Sequence, residues 1–213
     1  MKVAVSAQPT EQSDLTPAPT REVRVGASSA WCVLIAGVIG LLASMTLTVE
    51  KIKILLNPSY VPSCNVNPIM SCGSVMTTSQ ASVLGFPNPL LGIVGFTVVV
   101  VTGALAVTKV PLPHWYWAGL DAGILIGAVF VHWLIFQSLY RIGALCPYCM
   151  VVWVVTLTLL VVVTSIAFRA SFEGSNAVVR LLFQWRWSIA VLWFTGVFLL
   201  IMVRFWNFWS TLV

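Results

Sequence analysis

The chain has 213 residues, of which 59% are hydrophobic and only 8% are charged, and its formal net charge is +5. An ordinary soluble domain carries about 25% charged residues. This composition and a mean hydropathy of +0.98 exclude a water-soluble globular domain, a disordered chain and a nucleic-acid module. We therefore predict an all-α integral membrane protein, because backbone polar groups in lipid must find partners within the protein.

The first 28 residues differ from everything that follows them. They are rich in Pro, Ser, Thr and Ala and show no apolar periodicity. We predict that residues 1–28 form a disordered cytoplasmic tail. A cleaved signal peptide is the alternative, but its apolar core would have to follow a basic start closely, and here the core begins only near Ser29.

Five apolar runs follow the tail, and each is long enough to cross about 30 Å of hydrocarbon. We predict one spanning helix in each run, at residues 30–47, 90–107, 115–139, 147–168 and 187–206. The first four helices belong to the region 29–168, which includes a long polar loop at 49–88. The region 169–213 then contains a further loop and the fifth transmembrane helix.

Basic residues predict the orientation of these helices. If the N-terminus is cytoplasmic, the loops on the cytoplasmic side contain Lys2, Arg21, Arg24, Lys109, Arg169, Arg180 and Arg186. The opposite side then has Lys51, Lys53, Arg141 and Arg204. This excess agrees with the positive-inside rule. We expect a multi-pass plasma membrane protein in which the loop 49–88 is extracytoplasmic and the loop after residue 169 is cytoplasmic.

Cysteines are distributed in agreement with that orientation. Cys32 falls in the first helix, where a cysteine most simply acts as a small apolar residue. The other four, Cys64, Cys72, Cys146 and Cys149, all map to the extracytoplasmic side, where disulfides persist.

The sequence Cys-Pro-Tyr-Cys at 146–149 opens the fourth helix. Proline suits the first helical turn, and the helix dipole lowers the pKa of a thiol near it, which favours reactive thiolate. A second pair, Cys64 and Cys72, lies in the polar loop on the same side. This arrangement predicts electron relay by thiol–disulfide exchange.

Other interpretations remain open from the residues alone. Four cysteines allow three pairings, and a structural four-cysteine zinc site or static disulfides without redox turnover are alternatives. No haem attachment motif or dinucleotide fingerprint is present in the sequence, so a lipid-soluble quinone is the natural electron acceptor. We expect no metal.

Residues within the helices extend this hypothesis. Cys149, Trp153, Thr156 and Leu160 share one face of the fourth helix. Trp153 is therefore either a wall of the quinone site or a residue packed against a neighbouring helix.

Ionisable residues in membrane spans are also candidates for a functional role. Asp121 has a possible role in proton supply or a position at the interface, and His132 is a candidate for quinone contact, proton transfer or helix–helix hydrogen bonding. Lys51 and Lys53 are expected to snorkel at the outer interface or to steer an acidic partner.

These motifs together resemble those of the vitamin K epoxide reductase family over roughly residues 30–168. The resemblance rests on the loop cysteine pair, the polar residues after Cys72, an Asn-x-x-x-Gly at the start of the second helix and the C-x-x-C at the start of the fourth. It implies a four-helix bundle around a quinone site plus a fifth transmembrane helix, with a catalytic region at 29–168. It further implies a bacterial member without a fused thioredoxin-like domain, so that the partner is a separate thioredoxin-like (DsbA-like) thiol protein.

The resemblance also assigns roles to individual cysteines. Cys64 matches the loop cysteine that exchanges with the partner, and Cys72 matches the one that exchanges with the helix pair. Cys146 matches the disulfide partner of Cys72 in that transfer, and Cys149 matches the cysteine that reacts with the quinone.

Three further residues are implied to bind the quinone. Asn88 matches an Asn that hydrogen-bonds a quinone carbonyl, and Thr78 falls where the family has a Ser or Thr near the cysteines. Trp153 stands where animal enzymes have the Tyr of Thr-Tyr-Ala, and an indole donates a hydrogen bond but cannot accept one. The sequence is therefore interpreted as a thiol oxidase that uses menaquinone or ubiquinone to drive disulfide formation, with epoxide reduction in doubt.

Overall fold

The computed structural model describes residues 22–210, except for the side chains of Ala170, Glu173 and Trp209. Residues 1–21, and thus most of the predicted tail, lie outside the described residues. Residues 22–28 differ from the predicted disordered tail. Strand β1 (Glu22–Val23) pairs in antiparallel fashion with strand β2 (Leu112–Pro113), and the first helix begins at Ala27.

Helices account for most of the structure. In chain order they are α1 (Ala27–Leu56), α2 (Cys72–Met76), a 3-10 helix (Ser79–Ser82), α3 (Pro89–Val107), α4 (His114–Gln137) with a π-helical extension (Ser138–Ile142), α5 (Pro147–Glu173), α6 (Ala177–Gln184), α7 (Arg186–Arg204) and α8 (Trp206–Trp209). Within the described residues, five helices (α1, α3, α4, α5 and α7) are long and apolar enough to cross a membrane. The predicted all-α membrane class is confirmed.

Four of these helices form a bundle in which α1 packs against α3 and α5, and α5 packs against α4. Close approach depends on glycine at the contact between α1 and α3, because a Cβ on Gly103 would lie 2.6 Å from the Cα of Leu34. The helices α3 and α4 make few contacts with each other. They are joined by the hydroxyl groups of Thr102 and Tyr116, which lie 2.6 Å apart.

Helix α1 continues well beyond the predicted end at residue 47, as far as Leu56. The hydropathy falls at Glu50 and Lys51, yet both side chains are buried. The hydroxyl of Ser63 donates to Glu50 at 3.1 Å, and Lys51 donates to the backbone oxygen of Met76. The polar end of α1 is therefore covered by the following loop, which shortens that loop to residues 57–88.

Helix α7 lies at the edge of the bundle, and only 11% of its apolar 18-residue stretch is buried within the protein. The indole N–H of Trp193 donates to Nε2 of His132 on α4 at 3.0 Å. Near its other end, the Arg204 side chain donates to the backbone oxygen of Leu139 at 3.1 Å. In the predicted cytoplasmic loop that precedes α7, the structure has the short helix α6.

Candidate active site

The loop cysteines Cys64 and Cys72 form a disulfide, with their Cα atoms 5.6 Å apart. Both are buried. Next to Cys64, the side-chain oxygen of Asn65 accepts hydrogen bonds from the Ser71 hydroxyl at 3.1 Å and from the Gly73 N–H at 2.9 Å. Asn65 thus ties the two sides of the disulfide together through hydrogen bonds that do not involve the sulfur atoms.

Backbone pairing brings this loop to the start of α5. The N–H of Leu145 donates to the oxygen of Ile69 at 2.7 Å, and the N–H of Ser71 donates to the oxygen of Leu145 at 2.9 Å. The residues that follow these two segments are Cys72 and Cys146, and their sulfur atoms lie 3.2 Å apart. A thiol is therefore in contact with one sulfur of a disulfide, which is the arrangement that exchange requires.

Cys146 and Cys149 are free thiols in this structure. Cys146 stands just before Pro147, the first residue of α5. A hydrogen bond from the Cys149 thiol is the main cause that lowers the pKa of Cys146, and the N–H groups of Tyr148 and Cys149 act in the same direction against the effect of burial. Cys146 occupies the position of a helix N-cap, where the first N–H groups of the helix stabilise an anion.

The turn before Cys146 needs a glycine. Gly143 has a φ of +71°, in the left-handed region that other residues adopt at a steric cost. Its N–H donates to the oxygen of Ser138 at 2.9 Å and so ends the π-helical extension of α4. This turn allows the chain to leave α4 and pair with the cysteine loop within a few residues.

A cavity of about 610 Å³ lies between α1, α3, α4, α5 and the loop. Its walls are mostly apolar, and both Cys146 and Cys149 line it. Asn88 and Thr78, which were singled out from the sequence, line it as well. The structure therefore brings six of the seven predicted site residues to one place, either in the cavity wall or in the adjoining disulfide.

The side chain of Asn88 also holds the loop above the cavity. Its amide nitrogen donates to the oxygen of Gln80 at 2.7 Å, and its amide oxygen accepts from the N–H of Val83 at 3.0 Å. An amide nitrogen carries two N–H donors, so one donor remains for a ligand. The Thr78 hydroxyl donates to the oxygen of Val75 at 2.7 Å and retains its capacity to accept.

Trp153 is not among the residues that line the cavity. Its buried indole packs between α4 and α7, with ring centroids 6.3 Å from His132 and 5.1 Å from Phe194. The residues of α5 that do line the cavity are Cys149, Met150, Val152, Thr156 and Leu159. On α5, the residue one turn after Cys149 that shares the cavity with it is therefore Val152, three residues later. Helical spacing had predicted Trp153, four residues later, on that face.

Lys51 is a cavity residue that sequence reasoning placed at the membrane interface. Its side chain is buried, lines the cavity and donates to the backbone oxygen of Met76. An ionisable residue inside a spanning helix is a signal in itself. Only packing, however, decided that Lys51 faces the cavity while Lys53 has its side chain about half exposed, at 48%.

The other ionisable candidates have partners on neighbouring helices. The Thr164 hydroxyl donates to Asp121 at 2.7 Å, which joins α5 to α4. His132 lies 2.7 Å from the oxygen of Ala128 through Nδ1 and accepts from Trp193 through Nε2. Both residues therefore take part in helix–helix hydrogen bonding, as one of the sequence interpretations of His132 proposed.

The geometry also bears on the alternative of a four-cysteine zinc site. A cysteine in a disulfide cannot offer a thiolate ligand, and two of the four are joined in that way. Within residues 22–210, no group of three or more His, Cys, Asp or Glu side chains is arranged to hold a metal ion. The contact between a disulfide and a free thiol favours exchange chemistry instead.

Comparison with models of protein families gives a match. The model of the Vitamin K epoxide reductase family matches residues 31–164. This segment is more than half of the chain, and it contains all four cysteines of the site together with Asn88 and Thr78. No curated protein matches the chain.

Proposed function

Because this chain belongs to the vitamin K epoxide reductase family, we propose that it is a thiol oxidase that reoxidises a separate thioredoxin-like (DsbA-like) protein and passes the electrons to a quinone. Membership makes it a membrane oxidoreductase that acts on thiols and disulfides. In the proposed orientation the protein lies in the plasma membrane, with its N-terminus in the cytoplasm and its four active cysteines outside. Its product is disulfide bonds in exported proteins.

The observation that carries this proposal is the 3.2 Å contact between the sulfur atoms of Cys72 and Cys146. Transfer begins when a thiolate of the partner attacks Cys64 and releases Cys72 as thiolate. The second thiol of the partner then displaces Cys64, which leaves an oxidised partner and a reduced loop.

The next exchange moves the electrons to the helix pair. Cys72 attacks Cys146 in the oxidised Cys146–Cys149 pair and releases Cys149 as thiolate. Cys64 then attacks Cys72, which restores the loop disulfide and releases Cys146. The products are a loop disulfide and two helix thiols, the same pairing that the structure has.

Residues around the cavity fit a quinone headgroup. The volume of about 610 Å³ lies within the usual range for small-molecule sites, about 300 to 1,000 Å³. The apolar wall suits a lipid-soluble ring, and the remaining N–H of Asn88 can donate to a carbonyl oxygen. A bound quinone, menaquinone or ubiquinone, accepts the two electrons and two protons that Cys146 and Cys149 lose when they form their disulfide.

The proposal is tested by quinone reduction with purified protein in detergent, driven by a reduced thioredoxin-like dithiol. We expect turnover in the wild type and its loss in Cys149→Ala, because the helix pair then cannot close. Cys32→Ala serves as the matched control, since Cys32 is a thiol in α1 away from the loop and helix pairs. Normal turnover in Cys149→Ala, or none with either quinone from folded wild type, would contradict the proposal.

A further inference from the structure

Lys51 is an unusual feature of the cavity. It is the one cationic side chain among the described residues that line this mostly apolar space. Only 8% of its surface is exposed. Burial of an ammonium group is costly unless hydrogen bonds and opposite charge compensate, so the partners of Lys51 indicate what the site is built to hold.

Those partners are incomplete. A lysine has three N–H donors, and within residues 22–210 the one acceptor found for Lys51 is the oxygen of Met76. The neighbouring carboxylate of Glu50 is directed elsewhere: its Oε1 lies 3.8 Å from the Lys53 ammonium and accepts from Ser63, and its buried Oε2 has no hydrogen-bond partner among the described residues. Among the described residues, no carboxylate lies within 4.0 Å of the Lys51 ammonium.

The other polar groups of the wall are neutral or already engaged. Asn88 and Thr78 hold the loop through their own hydrogen bonds, and Cys149 lies on the same wall. The cavity therefore combines one cation that has no carboxylate in contact with it and a thiol pair that must release electrons. A ligand that is neutral when it enters and gains negative charge on an oxygen would match this combination.

We propose that Lys51 is a further catalytic residue, which donates hydrogen bonds to the quinone oxygen on which negative charge develops. This inference rests on the proposed function. Two cysteine thiols lose two electrons and two protons as they become a disulfide, and the quinone gains both as it becomes a quinol. Lys51 itself ends unchanged, because it stabilises the charge that arises when the electrons arrive before the protons.

Two ligands of similar shape provide a test that does not depend on turnover. The neutral probe is 2-methyl-1,4-naphthoquinone, and the charged probe is 2-hydroxy-1,4-naphthoquinone, which is an anion at neutral pH. Binding of each is measured by quenching of tryptophan fluorescence in a Cys146→Ala, Cys149→Ala background, which leaves no thiol in the cavity wall that could reduce a probe or add to it. We expect Lys51→Met to weaken binding of the anion about ten- to hundredfold and to change binding of the neutral probe much less, as for loss of a charged hydrogen bond.

Two further variants separate charge from loop support. Lys51→Gln retains an N–H donor for the Met76 oxygen but has no charge, so we expect it to lose the preference for the anion as Lys51→Met does. Lys51→Arg restores a cation, and we expect it to recover part of that preference. Lys109→Met, at an exposed lysine just after α3 that is not among the residues lining the cavity, is the matched control and is expected to bind both probes as the parent does.

Kinetics supply the second readout. In the protein that retains Cys146 and Cys149, we expect Lys51→Gln to lower kcat for quinone reduction about tenfold or more, with a smaller change in KM. If each probe binds Lys51→Gln with the same affinity as it binds the parent, and kcat is unchanged, the role of Lys51 is overturned. Failure of the parent to bind either probe would instead overturn the quinone site and, with it, the proposed function.

Discussion

The two cysteine pairs lie side by side but are held in different ways. Cys64 and Cys72 are joined in a disulfide within a polar loop, where Asn65 links the two sides by hydrogen bonds to Ser71 and Gly73. Cys146 and Cys149 are thiols at the start of a long apolar helix, the first just before it and the second in its first turn, and they line a mostly apolar cavity. This difference agrees with the proposed function, in which the loop pair exchanges with a protein partner and the helix pair reduces a ligand dissolved in lipid.

The strongest test of this comparison is to replace one cysteine of each pair, so that a single cysteine remains in the loop and a single one at the helix. In a protein with Cys64→Ala and Cys149→Ala, only Cys72 and Cys146 remain at the site, with sulfur atoms 3.2 Å apart in the present structure. Mild oxidation is expected to link them in nearly every molecule, as measured by mass spectrometry of the cross-linked peptides. The matched variant with Cys72→Ala and Cys149→Ala should show far less linkage, and equal linkage in both would contradict the proposed order of transfer.

The cavity side of the comparison is tested at Asn88. Replacement by Ala removes the N–H donor that we propose binds the quinone, and also two hydrogen bonds that hold residues 80–83. We expect kcat/KM for the quinone to fall about tenfold or more, measured as initial rates of quinol formation. Asn88→Asp keeps the acceptor for Val83 but loses the donor. It should therefore also be impaired, and unchanged kinetics in both variants would remove Asn88 from the site.

The loop side is tested at Asn65. Its replacement by Ala leaves the Ser71 hydroxyl and the Gly73 N–H without their acceptor. We expect the loop disulfide to become about five- to thirtyfold easier to reduce in a glutathione redox buffer, since each of the two lost hydrogen bonds contributes about 1 kcal/mol, a factor of about five. Asn57→Ala is the control, because Asn57 is exposed and the hydrogen bonds found for its side chain among the described residues are to Ser59. An unchanged equilibrium in Asn65→Ala would show that the backbone alone holds the loop pair together.

The smallest expected effect concerns the acidity of Cys146. Its pKa is lowered mainly by the hydrogen bond from Cys149, so Cys149→Ala should raise that pKa towards the ordinary value. The thiolate of Cys146 then forms at higher pH in the variant than in the parent. The measurement is the pH dependence of Cys146 alkylation by a small reagent, in protein whose loop disulfide is intact. A midpoint that does not move would assign the effect to the N–H groups of the helix instead.

Much of the fold could be predicted, because a membrane span depends on the total hydropathy of consecutive residues, which the sequence contains directly. The observed bounds of α3, Pro89–Val107, differ from the predicted span by one residue at its start. The largest error in a helix end was at α1, where burial of Glu50 and Lys51 against the loop extends the helix beyond its apolar run. A polar residue that is bonded to a distant segment looks, in the sequence alone, like a residue in water.

Most residues of the site could also be predicted, but which face of α5 lines the cavity could not. The residue types and their spacing indicated all four cysteines, and the family resemblance pointed to Asn88 and Thr78, which the structure places in the cavity wall. Trp153 and Val152 illustrate what spacing leaves undecided. Both lie close to the face of Cys149 on a helix, and the packing of Trp153 against Phe194 of α7 decides that Val152 faces the cavity.

By itself, the sequence determined that this is a membrane protein of five spans and predicted two cysteine pairs at one end, one of which opens a helix. These properties depend on local composition, helical periodicity and the position of proline in the chain. The family resemblance implied that Cys72 exchanges with Cys146, but only the tertiary structure shows how the two come into contact, and it alone decided that Lys51 faces the cavity. Both depend on contacts between segments far apart in the sequence, namely the backbone pairing of Ile69 and Ser71 with Leu145 and the hydrogen bond of Lys51 to Met76.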